Sequence, residues 1–402
     1  MEARFRPAAQ GRERDLLDWV RLLADDVGPR RPTGLGERRA AELVADRLRG
    51  AGVEARLESF RGYSSFAASY GAIAAAALAP ALLSRRRRLL RAIPSLAAVA
   101  ALVSEGGLVR TPLSDALSTR ESRNLVATIE PSGESLRTAC LLCHLDTSRS
   151  GLLFHPAAVR LLNPWLKLQA AATIAQAADP LLTGSRPGRA LVAVARAIIA
   201  AGAALLAERE LRGSDVPGAN DNASGVAVVA SLATELAERP LDRTRVVALM
   251  TGCEEAGVLG AQAFLRGRDT RGWLFVNVDN VGGAVPLRYL RSEGLVAKWP
   301  ADPALAAIAA RLAAERLEFE LSANAGPIGL TYDATPVLAR GGRAITFVAA
   351  ADDGVIPNYH WPTDTADNVD PAAIARARGA VREMLGAIDR GEADRVAPSA
   401  DA

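Results

Sequence analysis

Short, nearly continuous apolar runs alternate along this chain with longer stretches in which apolar residues recur every three or four positions. Five of the runs, at 124–129 (NLVATI), 138–143 (TACLLC), 245–250 (RVVALM), 274–278 (LFVNV) and 344–349 (AITFVA), are short and often β-branched. Apolarity without alternation is the mark of strands buried on both faces of an α/β sheet. Segments of helical period separate them, among them 226–238 and 256–266. An earlier run at 54–60 reads as the first strand. It follows GLGERRAAELVADRLRGAG, in which leucine, alanine and valine share one helical face and glycine stands at the end.

Two stretches interrupt this rhythm. The first, at about 66–107, contains FAASYGAIAAAALAPALL (66–83), then SRRRRLLR, then AIPSLAAVAALV (92–103). The second, at about 153–209, contains 165–178 and 190–206, with Arg196 inside the latter and Pro180, Gly184, Pro187 and Gly188 marking the break between them. The 18 uncharged residues of 66–83 lie at the lower limit for crossing a bilayer, and the 12 of 92–103 suggest a packed or interfacial segment. Alanine promotes helix without strongly favouring hydrocarbon. Both insertions are therefore expected as helical hairpins forming an accessory cap. Membrane attachment is the alternative, supported by the RRRR run, which anionic lipid would hold at the cytoplasmic face.

Polar residues with metal-binding chemistry cluster at or just beyond the ends of the apolar runs. They are His144 and Asp146 in CLLCHLDTS, Asp221 in PGANDNASG, Glu254 and Glu255 in ALMTGCEEAG, Asp279 in FVNVDN and His360 in VIPNYHWPTD. The chain has three histidines, and two fall in this set. Ligands in α/β sheets collect beyond the carboxyl ends of strands. Taken singly, His144 reads as a buried histidine, Glu254 and Glu255 as caps of the 256–266 helix, and Asp221 as a turn residue. Together they supply the ligands and base of a two-metal hydrolase. Mixed imidazole and carboxylate donors suit two Zn2+, with Co2+ or Mn2+ able to take the same ligands. These residues alone do not divide the ligands between the metals.

With these motifs in this order, the chain resembles the zinc aminopeptidase family that includes bacterial leucyl aminopeptidases, aminopeptidase Y, glutamate carboxypeptidase II and the glutaminyl cyclases. The match runs from about Gly28 to Gly386, interrupted by the two insertions. The resemblance implies an α/β/α sandwich with a mixed, mostly parallel central sheet and inserted accessory helices. It implies that Asp221 bridges two metals, that His144 and Asp279 complete one site and that Glu255 and His360 complete the other. Glu254 would be the general base, and Asp146 the carboxylate that orients a ligand imidazole. Tyr332, in LTYDATP, would help polarise the scissile carbonyl. Asp333 falls where relatives have aspartate followed by histidine; this chain has Ala334 there, which changes the pocket and removes no ligand.

The implied activity is an aminopeptidase acting on a short peptide or amino-acid derivative, a capped cleft excluding folded proteins. Carboxypeptidase or N-acyl amino-acid hydrolase activity, with Arg149 or Arg340 holding a substrate carboxylate, is an alternative. Glutaminyl cyclisation and an inert membrane-associated scaffold are the others.

Composition adds exclusions. Lys+Arg 48 against Asp+Glu 45 leaves a net charge of +3, nearly all the basic residues are arginine, and no basic stripe is interleaved with aromatics, so nucleic acid is not an expected partner. Three cysteines, Cys140, Cys143 and Cys253, argue against a disulfide-built secreted fold and read as buried small residues. His155, before Pro156, reads as a capping or surface residue. The amino terminus lacks the apolar core of a signal peptide, so a cytoplasmic location is the expectation, with membrane association as the alternative. One catalytic domain over 1–402 with a mobile tail at 389–402 is expected; oligomeric state is left open.

Overall fold

Among the described residues, eight strands join in one mixed sheet whose central members are those the apolar runs predict. The computed structural model describes residues 6–84, 86–182, 184–324 and 330–394. In its first half come α1 (Arg6–Arg21), α2 (Leu35–Gly50), β1 (Glu54–Gly62), α3 (Ala67–Leu78), α4 (Arg88–Gly107), α5 (Pro112–Leu117), β2 (Arg120–Ile129) and β3 (Arg137–His144). There follow α6 (Leu162–Ala177), α7 (Asp179–Leu182), α8 (Arg186–Arg212), α9 (Ser224–Glu238), β4 (Thr244–Thr251), α10 (Leu259–Leu265) and β5 (Leu274–Val278). The last part holds β6 (Leu287–Tyr289), β7 (Ser292–Glu293), β8 (Trp299–Pro300), α11 (Pro303–Glu315), β9 (Leu321–Ala323), α12 (Thr335–Ala339), β10 (Arg343–Ala349) and α13 (Pro371–Asp389).

The sheet order is β1-β2-β4-β3-β5-β10-β6-β9, with β7 and β8 forming a separate ribbon. The central pairs β4–β3, β3–β5 and β5–β10 are parallel, and β1–β2, β2–β4 and β10–β6 are antiparallel. Alternate residues of each central strand enter different cores. Leu141, Ala248 and Val276 pack with α1, α2, α9, α11 and α13 on one face; Cys140, Leu142, Val247 and Phe275 pack with Phe264 of α10 and Val337 of α12 on the other. Burial on both sides is why these strands read as unbroken apolar runs.

Register places both insertions at one edge. Gly62 pairs with Arg120 at the end of β1, and Leu125 of β2 pairs with Met250 near the carboxyl end of β4. The chain from α3 to α5 therefore leaves and re-enters the sheet at the carboxyl ends of β3, β4 and β5, where the second insertion also departs. The insertions meet in a helical cap, with Ile73 and Ala77 of α3, Ala98 and Leu102 of α4, Ala172 of α6, and Ala195 and Ile199 of α8 at its centre. Asp179, fully buried, is held by Arg91 of α4 through paired hydrogen bonds of 2.7 and 2.8 Å and by Arg196 of α8 at 3.2 Å.

Three local expectations shift. The 256–266 helix begins only at Leu259, because Gly257 (φ +133°) and Val258 (φ +52°) turn the chain out of helical geometry. The 66–83 stretch divides into α3 and a 3-10 turn at Ala79–Leu82, where Pro80 supplies no amide. Asp389 does not begin a free tail: it closes α13, and its carboxylate accepts the amides of Asp242 and Arg243. The rest of the expected tail, beyond 394, lies outside the described residues.

Removing the carboxylate of Asp179 would leave the buried Arg91 guanidinium without its paired acceptor and take one partner from Arg196. Asp179→Ala is expected to lower stability by about 3–5 kcal/mol, measured by urea unfolding followed by circular dichroism. A loss under about 1 kcal/mol would show that the ion group does not hold the cap together.

Candidate metal centre

Each proposed ligand is carried to the same edge by a different element. His144 is the last residue of β3, Asp279 follows β5 directly, and Glu254 and Glu255 lie in the turn after β4. Asp221 sits in the turn that opens α9, and His360 in the loop between β10 and α13. His144, Asp221, Glu255, Asp279 and His360 are all at least nine-tenths buried.

Their donor atoms form two groups that share Asp221. His144 Nε2 lies 3.1 Å from Asp221 Oδ1 and 3.6 Å from Asp279 Oδ2. His360 Nε2 lies 3.2 Å from Asp221 Oδ2 and 3.0 Å from Glu255 Oε1. Within each triad the ligand atoms are all within 4.8 Å of one another. One oxygen of Asp221 thus faces each triad, the arrangement of a carboxylate shared by two cations. Asp221 Oδ2 and Glu255 Oε1 also have no hydrogen-bond donor in the protein, although both are buried. Two imidazoles and three carboxylates fit divalent zinc.

The surroundings orient these donors. His144 Nδ1 is 3.1 Å from the main-chain carbonyl of Asp146, so a proton on Nδ1 leaves Nε2 free to ligate. The expected partner was the Asp146 carboxylate, which stands 3.8 Å away. That carboxylate instead accepts the amides of Glu254 and Glu255, both at 3.0 Å, and so fixes the turn that carries them. Burial pushes the Glu254 carboxyl well above the usual range, with His144 opposing and Glu255 adding to the shift. Asp333 accepts the Thr251 hydroxyl at 2.6 Å, and its carboxyl is pushed up to about 7 by burial.

Sequence reasoning missed four residues. Fully buried Arg30 donates to the carbonyls of Leu23, Gly28, Leu145, Pro217 and Gly218, tying the loop after His144 to the turn before Asp221. Burial lowers its pKa to about 10, while Asp364, Asp146 and Asp221 favour its charge. Asp364 accepts the amide of Asn220 at 2.6 Å and that of Asp221 at 3.1 Å. Tyr359 stacks on the His360 ring at 3.8 Å, and Phe154 meets that ring edge-on at 4.4 Å. The Asp364 position had one signal: a carboxylate in the same polar turn as His360, four residues on.

The remaining candidates fall apart from the two triads. The Tyr332 hydroxyl is buried without a protein partner, and burial followed by Asp279 pushes its pKa well up; Tyr359, not Tyr332, lines the cavity beside the centre. His155 is exposed, and its Nδ1 accepts the amide of Ala157. The three cysteines are buried and unpaired with one another. Arg149 is engaged by the carbonyls of Arg209 and Gly213, and Arg340 bonds the carbonyl of Pro336. Neither arginine lines the cavity, which gives no support to the carboxylate-binding role considered for them.

Residues 204–385 match the sequence profile of peptidase family M28, a span that holds every ligand except His144. The probable lipoprotein aminopeptidase LpqL of Mycobacterium tuberculosis is 27% identical over 184 residues, covering 39% of this chain and 37% of that protein. The match thus spans little more than a third of that relative's length. Among solved structures, the zinc aminopeptidase BSAP of Bacillus subtilis superposes with a TM-score of 0.55 at 15% identity, covering 93% of this chain and 94% of the other. The glutaminyl cyclase of Bacteroides thetaiotaomicron gives 0.54 at 14% identity, covering 93% and 97%. At such identities the likeness is one of fold.

Asp364→Ala would leave the Asn220 and Asp221 amides unpaired and free the bridging turn. Zinc affinity is expected to fall about 10–100-fold, measured by competition with a chromogenic chelator, with the far-ultraviolet spectrum unchanged. An unaltered affinity would remove Asp364 from the support of the centre.

Proposed function

We propose that this chain, a relative of the zinc-dependent exopeptidases of peptidase family M28, is a metal-dependent aminopeptidase that hydrolyses short peptides. The observation that carries the reading is Asp221, whose two oxygens each face a separate pair of one imidazole and one carboxylate. His144, Asp221 and Asp279 would hold one zinc ion, and Asp221, Glu255 and His360 the other. Bound there, the two cations would polarise the scissile carbonyl and lower the pKa of water.

The protein's own groups perform the proton chemistry. Glu254 is anchored by its amide on Asp146 and lines the cavity beside both triads. It takes the proton of the attacking water and returns it to the nitrogen of the departing amine. The carbonyl carbon gains the oxygen, the C–N bond breaks, and no covalent enzyme intermediate is needed. Glu254 and Glu255 line the cavity beside the centre, where the free amine of the substrate would be received. The helical cap covers the same edge of the sheet and favours short substrates over folded proteins.

Glu254→Gln is expected to keep two zinc ions per chain while hydrolysis of leucine amide falls by about 10²–10⁴-fold. Metal analysis and initial rates on the same sample check this. Unchanged rates would take Glu254 out of the reaction. Turnover of glutaminyl peptides to the cyclised product, without hydrolysis of any aminoacyl amide, would replace the aminopeptidase reading.

A further inference from the structure

The insertions enclose more space than an amino-terminal residue needs. A cavity of about 560 Å³ starts at Glu254, Glu255 and His360 and runs between α3, α4, α6 and α8 as far as Ile73, Ile174 and Ile199. This is the size of pockets that take up whole small ligands. Beyond the metal centre its wall is largely apolar. Glu105, an acid on that wall, is occupied by the amide of Leu113 and the hydroxyl of Ser114. Such a chamber gains most from a guest that brings methylene groups out of water.

The outside of the same helices is a second, separate observation. On α4, Leu89 is 84% exposed, Ile93 65% and Leu96 60%; on α8, Leu191 and Val194 are also exposed. Both helices are apolar over a length that suits hydrocarbon. Exposed Arg86, Arg87 and Arg88 stand at the start of α4, and Arg186 at the start of α8. Exposed apolar side chains on each helix, with arginines at its start, suit an anionic lipid surface. At 20 and 27 residues, α4 and α8 run about 30 and 40 Å, comparable with the ~30 Å of a hydrocarbon core.

We infer that the cap is a receptor for an unbranched apolar chain, and that the substrates are aminoacyl or peptidyl amides bearing such a chain, drawn from an anionic bilayer. The identity of the hydrolysed bond rests on the aminopeptidase reading above. The scissile carbonyl lies at the metal centre, and the chain on the amide nitrogen lies among α3, α4, α6 and α8. Hydrolysis adds water across the C–N bond, releasing the amino acid and the long-chain amine.

The test compares leucine amide with leucine N-butyl-, N-octyl- and N-dodecylamides, using zinc-loaded parent, Ala170→Phe and Ala203→Phe. Both alanines line the chamber away from the metal centre. In the parent, kcat/KM is expected to rise at least tenfold from butyl to octyl. Each variant should lose that rise while hydrolysing leucine amide within twofold of the parent, which also shows that it folds. A flat series in a parent that hydrolyses leucine amide overturns the inference. If the parent hydrolyses none of the four, calorimetric titration with leucine N-dodecylamide decides separately: binding weakened tenfold in Ala203→Phe supports the chamber, and no binding in the parent overturns it. Source is tested with phosphatidylglycerol and phosphatidylcholine vesicles loaded with the dodecylamide. Faster turnover on the anionic vesicles alone, lost when Arg86, Arg87 and Arg88 become glutamate, supports uptake from the bilayer; equal rates on both overturn that source.

Discussion

The structure is organised around the cost of burying many carboxylates together. Asp146, Asp221, Glu255, Asp279, Asp333 and Asp364 lie within the interior at the carboxyl edge of the sheet, with Glu254 beside them. In a medium of low effective dielectric, like charges so placed cannot all remain ionised without compensation. Arg30 supplies one fixed positive charge, but its hydrogen bonds go to main-chain carbonyls. Asp146 and Asp364 are satisfied by amides, and Asp333 by a hydroxyl. In the inner set Asp279 accepts the Asn280 side-chain amide at 2.7 Å, while Asp221 Oδ2 and Glu255 Oε1 have no donor, and divalent cations would supply the compensation there. Loop paths, turn hydrogen bonds and helix starts around the site all serve that inner set.

The sheet was legible because its inner strands are buried on both faces, which leaves little room for polar residues except where a strand ends. His144, Asp279 and the Glu254–Glu255 pair stand out for that reason. Strands β6 and β9 at one end of the sheet, each of three residues, offered no comparable run. Nor could sequence place Arg30: its role depends on carbonyls brought from Leu145 and Pro217, far along the chain. The Asp146 prediction identified a supporting residue and misassigned its atoms, because a main-chain carbonyl leaves no trace in residue type. Helix α10 was set too early for a similar reason, the left-handed turn at Val258 being dictated by the fold around it.

The insertions illustrate how a shared fold acquires a private environment. They enter through connections at one sheet edge, so the inner strands need not be altered to accommodate them. Arg209 of α8 joins them to that edge: it hydrogen-bonds Ser65 before α3 and Ser148 after His144, and stacks over Phe66 at 4.3 Å. One buried guanidinium thereby touches the first insertion, the second insertion and the loop of a ligand. Its charge is opposed by burial and favoured by Glu255 and Glu210.

The packing of Phe154 against His360 carries a thermodynamic corollary. The His360 Nδ1 has no hydrogen-bond partner in the protein, so the pose of this ring depends on Tyr359 stacked against it and on Phe154 at the root of the cap. A ligand that shifted the cap would therefore change the free energy of metal binding through Phe154. By reciprocity, a metal that locks the ring favours one arrangement of the cap, and by the same factor. Any such coupling between cap and centre would run through this aromatic edge, whose ring centroid lies 4.4 Å from that of His360.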